Sequence, residues 1–321
     1  MSERAPLLDR DGLPLPRGAL HDHQPIFLRV CHSPWRFINQ NTLCYLRGII
    51  LVYLLAVMGM LIDFKVNRED KHSGWRMIFE FDTITFGLIV LYHIMAFSWT
   101  LTHLHWPHID ESDQTWESRI LRAMSPPEQP SYSRRRFYFS LFYSLVHVYS
   151  FMVTLIYWAV LVPQGHGHLP KHDGEPPKVG HNFLDHLFSE GWFKPFCLYN
   201  LYTMPSILAV FEILFLNSIK RQVPVPSHVF AIQFLAGLYL GWAAIGKMLT
   251  GYNPFFWMGH KGSGSREIVA AYCVGFVALA PGAFSFMYGL IGMRDAIVER
   301  GTEPEDIAAG LREEHGQQAR R

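Results

Sequence analysis

Six stretches of the chain are long, apolar and almost free of charged residues, and they constrain the fold more than any other feature. A hydrocarbon core about 30 Å thick needs about 20 apolar helical residues to cross it, since a helix rises about 1.5 Å per residue. None of the stretches alternates polar and apolar residues as a membrane strand does. The sequence therefore predicts an all-α membrane protein, a six-transmembrane-helix bundle. The predicted spans are 43–64, 79–102, 137–162, 192–217, 227–249 and 268–293.

The polar remainder divides the chain into two tails, 1–42 and 294–321, around a membrane domain at 43–293. Lys and Arg residues outside the spans number seventeen on the side that carries both tails and eight on the other side. Cytosolic loops carry the excess of Lys and Arg, so we expect both tails in the cytosol. The net charge of +1 indicates no nucleic-acid partner.

Polar and charged side chains inside the spans are the candidate functional residues. A charge near the bilayer centre costs about 2.5 to 3.5 kcal/mol on insertion scales, so each one needs a partner or a function. The candidates are Glu80, Asp82, His93, Ser144, His147, Asn200, Glu212 and Lys247.

The depth of each charge along its helix predicts which of them can form ion pairs. Lys247 and the pair Glu80 and Asp82 lie near the ends of the spans opposite the tails. Arg47 and Glu212 lie near the ends on the tail side. We therefore expect Lys247 to pair with Glu80 or Asp82, and Arg47 with Glu212, whereas a Glu212–Lys247 pair is excluded. Buried pairs of this kind are more often structural than catalytic.

Two histidines lie at matching depth in different spans. His93 and His147 are each about 15 Å from the tail-side end of their helix, by the helical rise. Ser140, Ser144 and His147 recur at intervals of four and three residues, which places them on one stripe of the third span. A site between the spans and a plain helix contact are both open, because Ser in such helices often bonds its own i−4 carbonyl.

Histidine clusters outside these positions raise the question of a metal. Neither cluster contains the adjacent His pair that membrane di-iron enzymes use, so we expect no metal, no cofactor and a solvated loop. The clusters are His103, His105 and His108 on the tail side, and His166, His168, His172, His181 and His186 in the opposite loop.

Two local patterns predict helix geometry. Gly237 and Gly241 form a GxxxG step that allows a second helix to approach closely. Pro281, followed by Gly282, predicts a kink in the sixth span, since proline removes one hydrogen bond of the helix.

A set of short motifs follows one another in a characteristic order. They are WRMIFEF at 75–81, a third span with LIYW at 155–158, YNLYTMPSILAVFE at 199–212, the segment 225–228 and TGYNPFFW at 250–257. In this order and spacing, the segment 74–293 resembles the androgen-induced and androgen-dependent six-span membrane proteins, and is nearest to fungal-type members. The resemblance implies six spans, cytosolic tails, residence in the endoplasmic reticulum, and hydrolysis of fatty acid esters of hydroxy fatty acids by an intramembrane threonine.

The family's catalytic positions hold other residues here. The run that leads to the family's threonine leads to Glu80, with Thr83 nearby, and the position of its histidine holds Tyr199. Under the resemblance, Thr83 is the candidate nucleophile and His93 or His147 the candidate base. A threonine hydroxyl is a weak nucleophile until a neighbouring base takes its proton.

Two functions of different classes remain open. The chain is either a threonine-type carboxylic ester hydrolase that acts on membrane lipids, or a non-catalytic protein that binds or transports a lipid. In the second case the buried charges only hold the helices in register. In both cases the expected ligand is a membrane lipid or its acyl chain.

Overall fold

The computed structural model describes residues 26–35, 37–69, 75–106, 115–127, 134–164, 192–221, 223–258 and 265–318, with backbone only at 67–69, 256 and 300–318. Every regular element in these residues is helical. In chain order the α-helices are α1 Ile26–Val30, α2 Gln40–Asp63, α3 Phe81–His105, α4 Trp116–Met124, α5 Arg134–Leu155, α6 Phe193–Tyr202, α7 Met204–Phe211, α8 Val225–Thr250 and α9 Arg266–Gln318. Wider π-type turns extend three of them, Phe64–Glu69 after α2, Ile156–Leu161 after α5 and Glu212–Leu216 after α7.

Five of these helical segments are long and apolar enough to cross a membrane. A sixth crossing results if the bent pair α6 and α7 is counted as one span. The described residues therefore form an all-helical bundle that is compatible with a multi-pass membrane protein, with five or six crossings. The five segments are Gln40–Val66, Phe81–His105, Arg134–Leu161, Val225–Thr250 and Arg266–Glu299.

The long helices run alternately up and down, so the bundle has two distinct ends. We call the end where α2 begins and α3 finishes the N-terminal end, and the other the far end. α2 packs on α3, α5 packs on α3, α7 and α9, and α8 packs on α9. The last helix does not stop at the predicted end of the sixth span, since α9 continues to Gln318.

The short helix α1 packs into the N-terminal end of the bundle, although its segment belongs to the predicted polar tail. The ring of Phe27 is buried and lies 5.5 Å from that of Trp99 and 5.1 Å from that of Phe139. Backbone bonds join the same segment to the end of the α7 span, where Ser218 N donates to the carbonyl of Arg29 at 2.9 Å. This part of the predicted tail is therefore a component of the bundle.

The break between α6 and α7 bends the fourth predicted span by 45° at Thr203. Pro205 has no N–H to continue the helix. Side chains of α5 bind the interrupted backbone, because the Thr154 hydroxyl donates to the carbonyl of Tyr202. Ser206 Oγ in turn donates to the carbonyl of Ser150 at 2.9 Å. α9 is continuous through Pro281, where the sequence predicts a kink.

Glycines of α8 divide into a close contact and an open face. A Cβ at Gly246 would lie 2.4 Å from Cγ of Phe79, so only glycine allows this approach. Gly237 and Gly241 have no heavy atom within 4 Å of an added Cβ. The helix contact predicted for the GxxxG step is therefore absent from the described residues, and the close approach occurs at Gly246 instead.

Candidate functional site

A group of buried polar residues at the N-terminal end of the bundle is centred on Arg47 of α2. Its guanidinium binds Glu212 Oε1 at 2.9 Å, so the predicted Arg47–Glu212 pair is present, and both side chains are 1% exposed. The same guanidinium donates to Thr100 Oγ1 at 3.0 Å and to the carbonyl of Leu216 at 2.8 Å. We call Arg47, Tyr92, Glu212, Asn217 and Arg294 the Arg47 cluster.

The Arg47 cluster caps the C-terminal end of the α7 span. The last carbonyls of a helix have no partner within the helix and carry partial negative charge, which favours cations. Arg294 of α9, 1% exposed, supplies a second buried cation that donates to the carbonyls of Ile213 and Asn217 at 2.9 and 2.8 Å. Each carbonyl in this turn has a side-chain donor: Ile213 from Arg294, Leu214 from Trp35, Phe215 from Ser33 and Leu216 from Arg47.

The carboxylate of Glu212 is bonded on one oxygen only. Oε1 accepts from Arg47 at 2.9 Å, from the Tyr92 hydroxyl at 2.7 Å and from Asn217 Nδ2 at 3.4 Å. Oε2 is buried and has no hydrogen-bond partner among the described residues. Arg47 Nε is also buried without a partner among the described residues, so the cluster has one unfilled donor beside its unfilled acceptor.

The structure brings His93 and His147 together around Tyr92. The ring of Tyr92 lies 5.4 Å from that of His93 and 5.3 Å from that of His147. His93 Nδ1 is 2.9 Å from the carbonyl of Ile89. His93 Nε2 and Ser144 Oγ are buried without a partner in the described part of the chain. Both histidines thus pack on the ring of Tyr92, whose hydroxyl binds Glu212.

A second charged group lies at the far end and is centred on Lys65. The Lys65 ammonium forms ion pairs with the carboxylate of Glu80 and, at 3.3 Å, with Asp82 Oδ2, and all three side chains are less than 10% exposed. The prediction that Lys247 pairs with these carboxylates is wrong, because Lys247 Nζ donates to the carbonyl of Met258. The helix of the first span extends beyond residue 64 as a π-type turn, and this extension carries Lys65 into the bundle.

Thr83 belongs to this far-end group. Its hydroxyl donates to Glu80 Oε2 at 3.4 Å, and its backbone N–H donates to Asp82 Oδ1 at 2.8 Å. The Tyr202 hydroxyl donates to Asp82 Oδ2 at 2.7 Å. We call Lys65, Glu80, Asp82, Thr83 and Tyr202 the Lys65 cluster.

The Lys65 cluster contains two carboxylates and one ammonium. Glu80 lies just before the span that begins at Phe81, and burial raises the pKa of its carboxyl, with the negative charge of Asp82 acting in the same direction. The Lys65 ammonium opposes this effect. A carboxyl whose pKa is raised is a stronger proton acceptor once it is ionised.

The structure does not bring Thr83 to either candidate histidine. Ten residues of α3 separate Thr83 from His93, about 15 Å along the helix axis. No described hydrogen bond or ring contact joins Thr83 to His93 or His147. Asn200 belongs to neither cluster, because it binds the Tyr53 hydroxyl and the carbonyl of Phe196.

The described histidines of the tail-side cluster bind protein groups. His103 Nε2 lies 3.1 Å from Nε2 of His32, and burial, reinforced by His103, lowers the pKa of His32 to about 3. Among the described residues, no group of three His, Cys, Asp or Glu side chains can hold a metal ion. His108 and the five histidines of the opposite loop lie outside the described residues.

An apolar cavity of about 520 Å³ lies at the far end, between the π-type turn after α5 and α9. Phe81, which follows Glu80 directly, packs on Phe276 with ring centroids 5.1 Å apart. Phe276 lines the cavity, so one pair of aromatic rings separates the cavity from the Lys65 cluster. Other lining residues are Ile156, Val160, Trp257, Tyr272 and Leu279.

Five residues of the two clusters were not singled out by the sequence: Lys65, Tyr92, Tyr202, Asn217 and Arg294. Lys65 and Arg294 each follow the last residue of a predicted span, and a cation at that position is assigned to the loop or tail and not to the span. Tyr92 and Tyr202 carry no charge, but a tyrosine hydroxyl within a span needs a partner in the same way as a charge. That requirement is the signal that identifies them.

Comparison of the chain with protein-family models, with curated proteins and with solved structures finds no match. The function is therefore argued from the two clusters and the cavity.

Proposed function

We propose that the chain is an integral multi-pass membrane protein that hydrolyses lipid esters at the Lys65 cluster. The observation that carries the proposal is the contact of the Thr83 hydroxyl with the carboxylate of Glu80, beside Lys65 and near an apolar cavity. The donor and acceptor are 3.4 Å apart. Such contacts are often long before substrate binds.

In this proposal Glu80, and neither histidine, is the general base. Thr83 Oγ attacks the ester carbonyl carbon while its proton passes to Glu80. The tetrahedral intermediate then collapses, and the leaving alkoxide takes the proton from Glu80. Water, activated by the same carboxylate, hydrolyses the acyl-threonine and restores both residues. Lys65, which is bonded to Glu80, supplies a cation for the negative charge that develops on the substrate oxygen.

The position of Thr83 favours a reaction that consumes water. Thr83 is half-buried in the first turn of α3, at the end of the span and not at its middle. Water reaches a span end, whereas His93 and His147 are buried within the bundle. The hydrolytic step therefore fits the Lys65 cluster better than the histidine pair.

The apolar cavity supplies room for the acyl chain of the substrate. Its described lining is aliphatic and aromatic, with Ile156 and Leu279 on opposite walls from the π-type turn and α9. Binding of an acyl chain there would place its ester end toward Phe81 and the Lys65 cluster. The proposed substrate is therefore a membrane lipid with an ester-linked acyl chain.

Kinship with the androgen-induced and androgen-dependent proteins is part of the proposal. So are residence in the endoplasmic reticulum and the cytosolic location of both tails. The motif at 75–81 contains Glu80 and leads directly to Thr83, which supports the same segment as the reactive one. The excess of Lys and Arg on the tail side supports the orientation.

The second candidate function is non-catalytic lipid binding, which the cavity alone supports. In that case Glu80 and Asp82 only neutralise Lys65 and begin α3, where acidic residues favour a helix N-terminus. The two functions differ in one respect, the reactivity of the Thr83 hydroxyl.

Labelling of the full chain in lipid nanodiscs with a fluorophosphonate probe tests the proposal. We expect the unaltered protein and Thr83→Ser to be labelled, and Thr83→Ala and Glu80→Gln to lose labelling. His147→Ala is the matched control and is expected to retain labelling in its folded fraction. Labelling that survives Thr83→Ala would overturn the proposal, and an unlabelled wild-type protein that still binds lipid would favour the second function.

A further inference from the structure

The apolar cavity is a groove that follows one face of α9. Its α9 wall consists of residues spaced three and four positions apart, which places them on one stripe of the helix. By the helical rise, this stripe is about 16 Å long from its first residue to its last. The π-type turn after α5 forms the opposite wall with Ile156 and Val160. The lining residues of α9 are Ile268, Ala271, Tyr272, Gly275, Phe276 and Leu279.

The exposure of the lining residues shows which side of the groove is open. Gly275 is exposed, and it lies nine residues after Arg266, about 14 Å into the α9 span. Surface that is exposed at this depth faces sideways from the bundle and not toward its end. The groove therefore opens laterally, toward the hydrocarbon of the bilayer. The other exposed lining residues are Ile268 and Ala271. The buried lining residues, on the inner side, are Ile156, Trp257 and Phe276.

Aromatic and polar side chains occupy the groove at the far end of the bundle. Gln164 Nε2, beyond the π-type turn, donates to the Tyr272 hydroxyl at 2.8 Å and so joins the two walls. The ring of Trp257 stacks on that of Tyr272, with centroids 5.3 Å apart. A ligand therefore has more room to enter from the side of the bundle than from this end.

The size and chemistry of the groove restrict its occupant. None of the described lining residues is charged, and the environment at this depth is hydrocarbon. A helix of a partner protein does not fit, because a cylinder about 10 Å across and about 16 Å long fills about 1,250 Å³. The groove has a volume of about 520 Å³. A single acyl chain is narrower than a helix and is the main component of the bilayer at this depth.

We propose that the groove is a lateral portal through which one acyl chain of a bilayer lipid enters the bundle. Its inner side ends at Phe276, which packs on Phe81, the residue after Glu80. An inserted chain thus approaches the Lys65 cluster from the bilayer and not from water. The inference rests on the proposed function for the fate of the ester, whereas entry of the chain does not require hydrolysis. The substrate is then a lipid that already resides in the membrane.

Gly275 keeps the portal open. An added Cβ at Gly275 meets no heavy atom within 4 Å, so a larger side chain fits there without a clash. Long side chains on a helix point toward its N-terminus, which from Gly275 is over Ala271 and along the groove. The ring in Gly275→Phe therefore occupies the space of the chain. Gly289 of the same helix is equally open and is not among the described lining residues, so Gly289→Phe is the matched control.

Photocrosslinking tests the portal in the full chain, reconstituted in liposomes with a phosphatidylcholine that carries a diazirine in one acyl chain. Ile156 is 5% exposed on the inner side, so its adducts report a chain within the groove. Val274 is 68% exposed and outside the described lining, so its adducts report ordinary contact with the bilayer. We expect adducts on both in the wild type. The Ile156 to Val274 ratio should fall about fivefold or more in Gly275→Phe, the penalty for overpacking a filled space. It should not change in Gly289→Phe.

Folding and hydrolysis are measured on the same samples. Both replacements exchange glycine for a better helix former, so both melting temperatures should equal or exceed that of the wild type. Diisopropyl fluorophosphate has no long chain, so it should label Thr83 equally in Gly275→Phe and the wild type. A wild-type protein without this label would overturn hydrolysis and leave the portal intact. Ile156 adducts that are absent from the wild type, or that persist in Gly275→Phe, would overturn the portal.

Discussion

The two charged clusters occupy opposite ends of one bundle and differ in how their charges are balanced. In the Arg47 cluster, two buried arginines bind a row of helix-end carbonyls, and Arg47 pairs with the buried Glu212 while Arg294 pairs with the partly exposed Asp295. In the Lys65 cluster, one ammonium binds two carboxylates, and a half-buried threonine hydroxyl contacts one of them. The first arrangement is complete as a helix cap. The second has surplus negative charge beside a nucleophile.

The difference separates a structural from a reactive use of buried charge. Arg47 and Arg294 bind backbone carbonyls of the α7 span, so their loss exposes several acceptors at once. Lys65 binds the side-chain carboxylates of Glu80 and Asp82, which can change protonation without disturbing a helix. The predictions below test this division, beginning with the largest expected effect.

Replacement of Arg47 should produce the largest loss of stability. Arg47→Met leaves the Glu212 carboxylate buried without its counter-charge, and removing one partner of a buried pair typically costs about 3 to 5 kcal/mol. The free energy of unfolding in detergent titrations measures the effect. Arg47→Lys, which keeps the charge, is the control and should lose less. An Arg47→Met protein with wild-type stability would show that the Arg47 cluster does not stabilise the fold.

Replacement of Arg294 should have the next largest effect. Arg294→Met removes charged hydrogen bonds to the carbonyls of Ile213, Asn217 and Ile219. Hydrogen bonds to charged groups contribute about 1.5 to 3 kcal/mol, and the remaining Asp295 is partly solvated. The same unfolding titration applies. A loss of unfolding free energy greater than that of Arg47→Met would show that Arg294, and not Arg47, contributes most to the stability of the cluster.

A matched pair of glycine substitutions tests how tightly the far end is packed. Gly246→Ala places a methyl group 2.4 Å from Cγ of Phe79, the residue before Glu80, and overpacking of this kind costs about 1 to 3 kcal/mol. Gly241→Ala meets no atom within 4 Å and should be neutral or slightly stabilising. Melting temperatures of the two variants give the comparison. Equal melting temperatures would show that Phe79 is not held against α8.

The pH dependence of hydrolysis should report the surplus charge of the Lys65 cluster. Glu80 accepts a proton only when ionised, so kcat/KM is constant above its pKa and falls about tenfold per pH unit below it. Burial and Asp82 raise this pKa, which places the acid limb above the value of about 4.3 for an ordinary glutamate.

Asp82→Asn provides the control for the pH profile. Removal of the neighbouring negative charge should move the acid limb of kcat/KM to lower pH. If the acid limb does not move in Asp82→Asn, the group that titrates is not Glu80.

Local sequence properties predict the helices and one of the two ion pairs. Apolar length defines the spans, and the depth of Arg47 and Glu212 along their helices predicts their pairing, because both lie at the same end. The same arithmetic failed for Lys247, since the π-type turn after α2 moves Lys65 nearer to Glu80. The apolar length of a segment does not show whether its helix continues for one more turn, because that depends on contacts with neighbouring helices.

The fine structure of the bundle depends on contacts between helices that the sequence does not reveal. The fourth span breaks at Thr203, where the Thr154 hydroxyl of α5 binds the freed carbonyl of Tyr202 and Ser206 binds the carbonyl of Ser150 on α5. Pro281 has the stronger local signal and yet lies in a continuous helix. The rotation of the helices also determines that His147 of α5 packs on Tyr92 of α3.

Parallel measurement of labelling rate and melting temperature in Glu80→Gln and Glu212→Gln tests the division between the clusters most directly. We expect Glu80→Gln to lose fluorophosphonate labelling by about 10²-fold or more with its melting temperature nearly unchanged, since Lys65 keeps Asp82 as counter-charge. We expect Glu212→Gln to lower the melting temperature while its folded fraction labels at the wild-type rate. Labelling lost in Glu212→Gln and retained in Glu80→Gln would contradict the assignment of the reactive end.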